Sequence, residues 1–135
     1  MTLLIQYMLM FASVLMLVAL GGCFSERSGV INIGLEGIMV FGALGGALAM
    51  KYLPDGTPIV LAVMLPILAA MIVGIIYSLL LAVAAINFKA DQTLVGTAMN
   101  LLGTAAATVI VKAINTAANP NDVSSTVQYI AAKKA

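Results

Sequence analysis

The chain has 135 residues, 63% of them hydrophobic and 8% charged, with six Lys+Arg against five Asp+Glu and no histidine. Soluble domains carry about 25% charged residues, so a water-facing globule is excluded and lipid must be the solvent for most of the length. The net charge of +1 and the single cysteine argue against a nucleic-acid partner and exclude an internal disulfide or a cysteine-based metal cage.

A helix that crosses the hydrocarbon core needs about 20 predominantly apolar residues. Residues 3–20 form an uncharged run rich in Leu and Met, and residues 29–50 are apolar apart from Asn32 and Glu36. Residues 58–86 carry no charge, with Pro66 as a place to kink; residues 93–111 are again uncharged but rich in threonine. The expected class is therefore an all-α polytopic membrane protein of about four transmembrane helices. Its membrane region would cover residues 1–114, and 115–135 would be a polar loop or a truncated tail. The connections carry turn chemistry, with two prolines and an Asp-Gly pair in Lys51-Tyr-Leu-Pro-Asp-Gly-Thr-Pro58 and a polar hinge at 87–92.

The stretch Leu20-Gly-Gly-Cys23 can be read as the end of a lipoprotein export signal, with Cys23 acylated. Against that reading, residues 1–20 hold no lysine or arginine, so the positive leader region is absent. After Cys23 comes a second membrane segment rather than a soluble domain. Orientation by the positive-inside rule puts the N-terminus inside, where Lys51, Lys112, Lys133 and Lys134 outnumber Arg27 and Lys89 outside.

Three constellations could carry function. Ser28, Asn32 and Glu36 would share one face if helical. A carboxylate at membrane depth costs about 2.5–3.5 kcal/mol on insertion scales, so it must face protein or water. Gly29, Gly34 and Gly37 bracket these residues, and a broken or re-entrant backbone is expected over residues 29–37, which membranes tolerate only where it is buried in protein or lines a cavity. The structural alternative pairs Glu36 with Arg27 or a neighbouring helix. Thr93, Thr97, Asn100, Thr104 and Thr108 fall on one face of the fourth helix, where they could bind a polar solute or bond to other helices. Gly42 and Gly46, with Ala43 and Ala47 beside them, form a small-xxx-small packing pattern. The nine methionines are apolar filler. No phosphate-binding Gly-rich loop or nucleophile–base arrangement is present, and the carboxylates Glu26, Glu36, Asp55, Asp91 and Asp122 are dispersed. No enzyme, metal or cofactor is expected.

Two stretches resemble a known family. ALGGCFSERSGVINIGLEGIMVFGALGGALA, residues 19–49, and FKADQTLVGTAMNLLG, residues 88–103, are similar to permease subunits of bacterial ABC importers. The nearest group is the nucleoside and simple-sugar permeases within the broader branched-chain amino-acid and ribose permease family. The resemblance implies a subunit of the bacterial cytoplasmic membrane. It would line a solute path with a second permease subunit, driven by an ABC ATPase and supplied by an extracytoplasmic solute-binding lipoprotein. It also implies that the Lys89 loop is cytoplasmic and the tail after Lys112 external, opposite to the charge count. Members of that group are longer and carry an ATPase-docking loop in their later half, so this chain reads as an N-terminal portion. The alternatives are a truncated structural membrane protein that transports nothing and the Cys23 lipoprotein.

Overall fold

The computed structural model describes residues 2–54, 56–121, 123, 124, 126 and 127. Asp55, Asp122, Lys133, Lys134 and the remainder of 128–135 lie outside the described residues. Among the described residues, four helices occur in chain order: α1 (Thr2–Arg27), α2 (Leu35–Lys51), α3 (Ile59–Ile86) and α4 (Gln92–Ala118). The fold is all-α, and α1, α3 and α4 are each long and apolar enough to cross a membrane. The 17 residues of α2 reach only about 26 Å, short of a hydrocarbon core of about 30 Å.

The second apolar run is short as a helix because its first residues are unwound. Helix α1 does not stop at 20 but continues to Arg27, and there the Ser-Glu-Arg-Ser-Gly-Val run ends it. The Gly29 amide donates to the Glu26 carbonyl at 3.0 Å and the Val30 amide to the Ser25 carbonyl at 3.3 Å. This is the paired closure of a Schellman stop, with Gly29 at φ +83°. The hydroxyls of Ser28 and Ser25 reinforce it, donating to the carbonyls of Ser25 at 2.6 Å and Val30 at 2.8 Å. The face that Ser28, Asn32 and Glu36 would share if helical therefore does not form; the backbone is broken there, as expected for residues 29–37. Ser28 terminates α1, Asn32 lies in the irregular segment 28–34, and Glu36 sits in the first turn of α2.

A Cβ added at Gly29 would meet nothing within 4 Å, so Gly29→Ala strains the backbone alone. We expect a loss of about 1–2 kcal/mol, visible as a lower melting temperature in detergent. Gly21→Ala, in open space within α1, should leave it unchanged or slightly raised.

Helix α2 is the hub: α1 touches only α2 among the described helices, whereas α2, α3 and α4 all touch one another. Helix α3 runs antiparallel to α2, since Gly46 faces the Pro66 and Ala70 end of α3 while Ile38 faces Gly74. Helix α4 runs parallel to α2, with Gly34 against Gly96 and Gly37 against Gly103. The core has two clusters. Tyr77, Leu81 and Met99 pack with Ile38, Phe41 and Val95, and Leu44, Ala107 and Val111 pack with Val40, Leu48, Ile110 and Val127. No residue of α1 is buried. Helix α3 continues through Pro66, which is buried against α2.

Helix α4 opens on Asp91, whose carboxylate accepts the amides of Thr93 at 2.8 Å and Leu94 at 3.4 Å, an N-cap that satisfies two first-turn donors. It runs on to Ala118, past the expected end at 111, carrying Lys112 within the helix. Beyond it, Ser124 and Thr126 lie back against the helix. Asn115, 3% exposed, donates through Nδ2 to the carbonyls of Ser124 at 3.1 Å and Thr126 at 2.9 Å. Val127 is thereby set against the Leu44, Ala107 and Val111 cluster. Among the described residues, Ser124, Thr126 and Val127 are therefore docked on the helices.

Candidate functional site

The unwound segment 28–34 is seated on the first turns of α4. Irregular backbone survives at membrane depth only if its polar groups find protein partners, and α4 supplies them. The Ile31 amide donates to Gln92 Oε1 at 3.0 Å. Asn100 Nδ2 donates to the Ile33 carbonyl at 2.9 Å, and Asn100 Oδ1 accepts the Gly37 amide at 2.7 Å. The Gly34 carbonyl accepts the Ile38 amide at 3.1 Å, inside the new helix. Gly34, the N-cap of α2, has no side chain to cap with, so the cap comes from α4.

This bonding requires backbone on backbone. A Cβ at Gly37 would lie 2.7 Å from the Met99 carbonyl oxygen, one at Gly96 would lie 2.9 Å from the Gly34 nitrogen, and one at Gly103 would lie 2.8 Å from Gly37 Cα. The bare helix surface at Gly103 also admits Tyr77, whose hydroxyl donates to the Met99 carbonyl at 2.7 Å. The Tyr77 ring stacks on Phe41, with centroids 4.3 Å apart and planes 6° from parallel. One tyrosine thus ties α3 to both α2 and α4.

The residues singled out in the sequence occupy several different settings. Asn32 is half-buried, and its Oδ1 is enclosed without a hydrogen-bond partner. Glu36 is exposed at the head of α2, and among the described residues it forms no ion pair; Arg27 instead lines a shallow groove with Leu20, Cys23 and Phe24. Cys23 is an exposed free thiol inside α1, not a residue of an extended cleavage loop. Thr93, Thr97, Thr104 and Thr108 are exposed on α4. Thr97, Thr104 and Thr108 donate their hydroxyls to the carbonyls of Thr93, Asn100 and Thr104, which leaves acceptor lone pairs facing outward. Asn100 stands at the border of this face and is turned toward the unwound segment. Thr104 and Thr108 line an open groove of about 330 Å³ between α2 and α4, together with Leu44, Ala107 and Val127. Gly42 and Gly46 lie against α3, at Ala70 and Pro66. Gln92, Gly96 and Gly103 were missed by the sequence reading, though Gln92, Gly96 and Asn100 recur at intervals of four residues.

With this geometry in view, comparison with known proteins is decisive. The profile of the family described as "Branched-chain amino acid transport system / permease component" matches residues 4–134. The chain belongs to this family. Among curated relatives, the guanosine ABC transporter permease protein NupQ of Bacillus subtilis is 49% identical over 106 residues, covering 78% of this chain and 33% of the relative. The nucleoside ABC transporter permease protein NupC of Lactococcus lactis is 38% identical over 98 residues, covering 73% of this chain and 31% of that protein. A putative glucose ABC transporter permease protein of Haloferax volcanii, TsgC13, is 36% identical over 93 residues, covering 69% of this chain and 26% of that protein. This chain therefore spans about a third of the length of the NupQ and NupC relatives. No solved structure matches it. Family membership together with three spanning-length apolar helices makes this a multi-pass membrane protein of permease type.

Proposed function

We propose that this chain forms part of the solute path of an ABC importer for nucleosides. A separate ABC ATPase would drive the importer, a second permease subunit would complete the path, and an extracytoplasmic solute-binding lipoprotein would deliver the solute. The observation that carries the reading is the 49% identity to a guanosine permease over 106 residues, higher than the 36% to the protein named as a putative glucose permease. The geometry is compatible with it. Asn32 and Glu36 stand at a break in the backbone, and Thr93, Thr97, Thr104 and Thr108 offer hydroxyl oxygens along an exposed face of α4. Ser28 ends α1, its hydroxyl donating to the Ser25 carbonyl, and as an exposed residue it keeps acceptor lone pairs for the same set. Residues 1–114 would be the membrane part, and Val127 of the polar stretch beyond it lines the α2–α4 groove.

The test is ATP-dependent uptake into proteoliposomes holding the whole permease that carries this sequence, with its ATPase and binding protein. Labelled guanosine should accumulate and labelled glucose should not. Glucose uptake without guanosine uptake would reassign the solute, and uptake of neither would favour a structural, non-transporting role.

A further inference from the structure

The geometry points to Asn100 as a positioning residue: it contacts no solute and instead sets where Asn32 and Glu36 stand, with Gln92 assisting. The functional weight of those two residues rests on the proposed transport function; the positioning itself does not. Helix α2 begins on a glycine N-cap that makes no side-chain bond, so its first-turn amides need an acceptor from elsewhere. Asn100 supplies one to Gly37 and, with the other end of the same amide, a donor to Ile33. Both polar atoms of the side chain are thus committed to backbone on either side of the break. Gln92, two helical turns earlier, takes the Ile31 amide. The backbone of 31–37 is therefore pinned at two levels of α4; between the pins the Asn32 carboxamide oxygen is enclosed without a partner, and Glu36 is exposed with no ion pair among the described residues.

The two polarities of the Asn100 amide give a chemical signature. Asn100→Asp keeps the acceptor for Gly37 but, when ionised, sets an oxygen against the Ile33 carbonyl; when protonated it restores a donor there. Asn100→Leu fills the space and restores neither bond. The other titratable side chains nearby are Glu36, exposed on the first turn of α2, and Tyr77, which donates to the Met99 carbonyl. Both are present in every variant compared.

The experiment uses the whole permease in nanodiscs with its ATPase and binding protein, in a Cys23→Ser background. First, Asn32→Cys is labelled with a soluble maleimide, a readout independent of which solute is carried. We expect labelling several-fold faster with Asn100→Leu than with Asn100 intact, because the released segment exposes position 32. Second, with Asn32 restored, guanosine uptake is measured at about pH 7.5 and normalised to the parent protein. Asn100→Leu, which restores neither bond, and Asn100→Asp, ionised at that pH, should each raise KM about tenfold. Relative KM values for guanosine and adenosine should not change. An unchanged labelling rate, a parent-like KM for either variant, or a changed guanosine-to-adenosine ranking overturns the assignment. Absent uptake in the parent protein would instead defeat the transport reading, and labelling would still decide the role of Asn100.

Discussion

Gly103→Val is expected to lower the stability of the whole permease by about 1–3 kcal/mol or more, seen as reduced membrane abundance and a lower melting temperature. The reason lies in what the added carbons would meet. Already the first, Cβ, would stand 2.8 Å from Gly37 Cα and 3.2 Å from its carbonyl oxygen. Backbone cannot rotate away as a side-chain tip can, so α2 and α4 must separate. Separation would also stretch the Asn100 bonds to Ile33 and Gly37, and the same Cβ would crowd the Tyr77 hydroxyl, 3.3 Å away, where it donates to the Met99 carbonyl. Gly74→Ala is the matched control. Its Cβ would lie 3.7 Å from Ile38 Cγ2, an ordinary contact, and stability should change little.

Glu36→Gln is expected to cut guanosine uptake by about tenfold while leaving membrane abundance near the parent level. Glu36 is the one acidic residue in the first turn of α2, where the helix dipole favours negative charge. It is exposed, with no ion pair among the described residues, so it is available to accept hydrogen bonds from a solute bearing N–H and O–H groups. Charge-assisted hydrogen bonds exceed neutral ones by roughly 1 kcal/mol or somewhat more, which is close to a factor of ten in rate or affinity. Glutamine preserves shape and one acceptor and removes the charge. Parent-level uptake by the variant would confine Glu36 to a structural role.

Much of the fold was legible in the sequence because hydropathy is a property of composition. The apolar runs that give α1, α3 and α4 need no knowledge of neighbours, and the break near residue 29 was signalled by its glycines. Where the helices end was less legible. The stop after Arg27 depends on Ser25, Ser28 and Gly29 acting together, and the extension of α4 to Ala118 depends on buried Asn115 holding the returning chain. The role of Asn100 was hidden for a different reason. Its spacing fits the threonine face, but its partners are 63 and 67 residues away, and no local pattern reports such a contact. Gly42 and Gly46 could be read as packing residues from their spacing alone. The tighter seam of Gly34 and Gly37 against Gly96 and Gly103 could not, since half of it lies at the junction of helix and unwound chain.

The proposed roles of Asn32, Glu36 and Asn100 all depend on the unwound segment resting on the start of α4. The most direct test is a cross-link between the two, made in the whole permease with Cys23→Ser. Ile31→Cys paired with Gln92→Cys should join rapidly with a short bifunctional thiol reagent, since the Ile31 amide is 3.0 Å from Gln92 Oε1. Ile31→Cys paired with Lys112→Cys should not join, as about 20 residues of helix place that position about 30 Å further along α4. Cross-linking no faster in the first pair than in the second would mean that the segment is not held on α4, and the account of the break would fail with it.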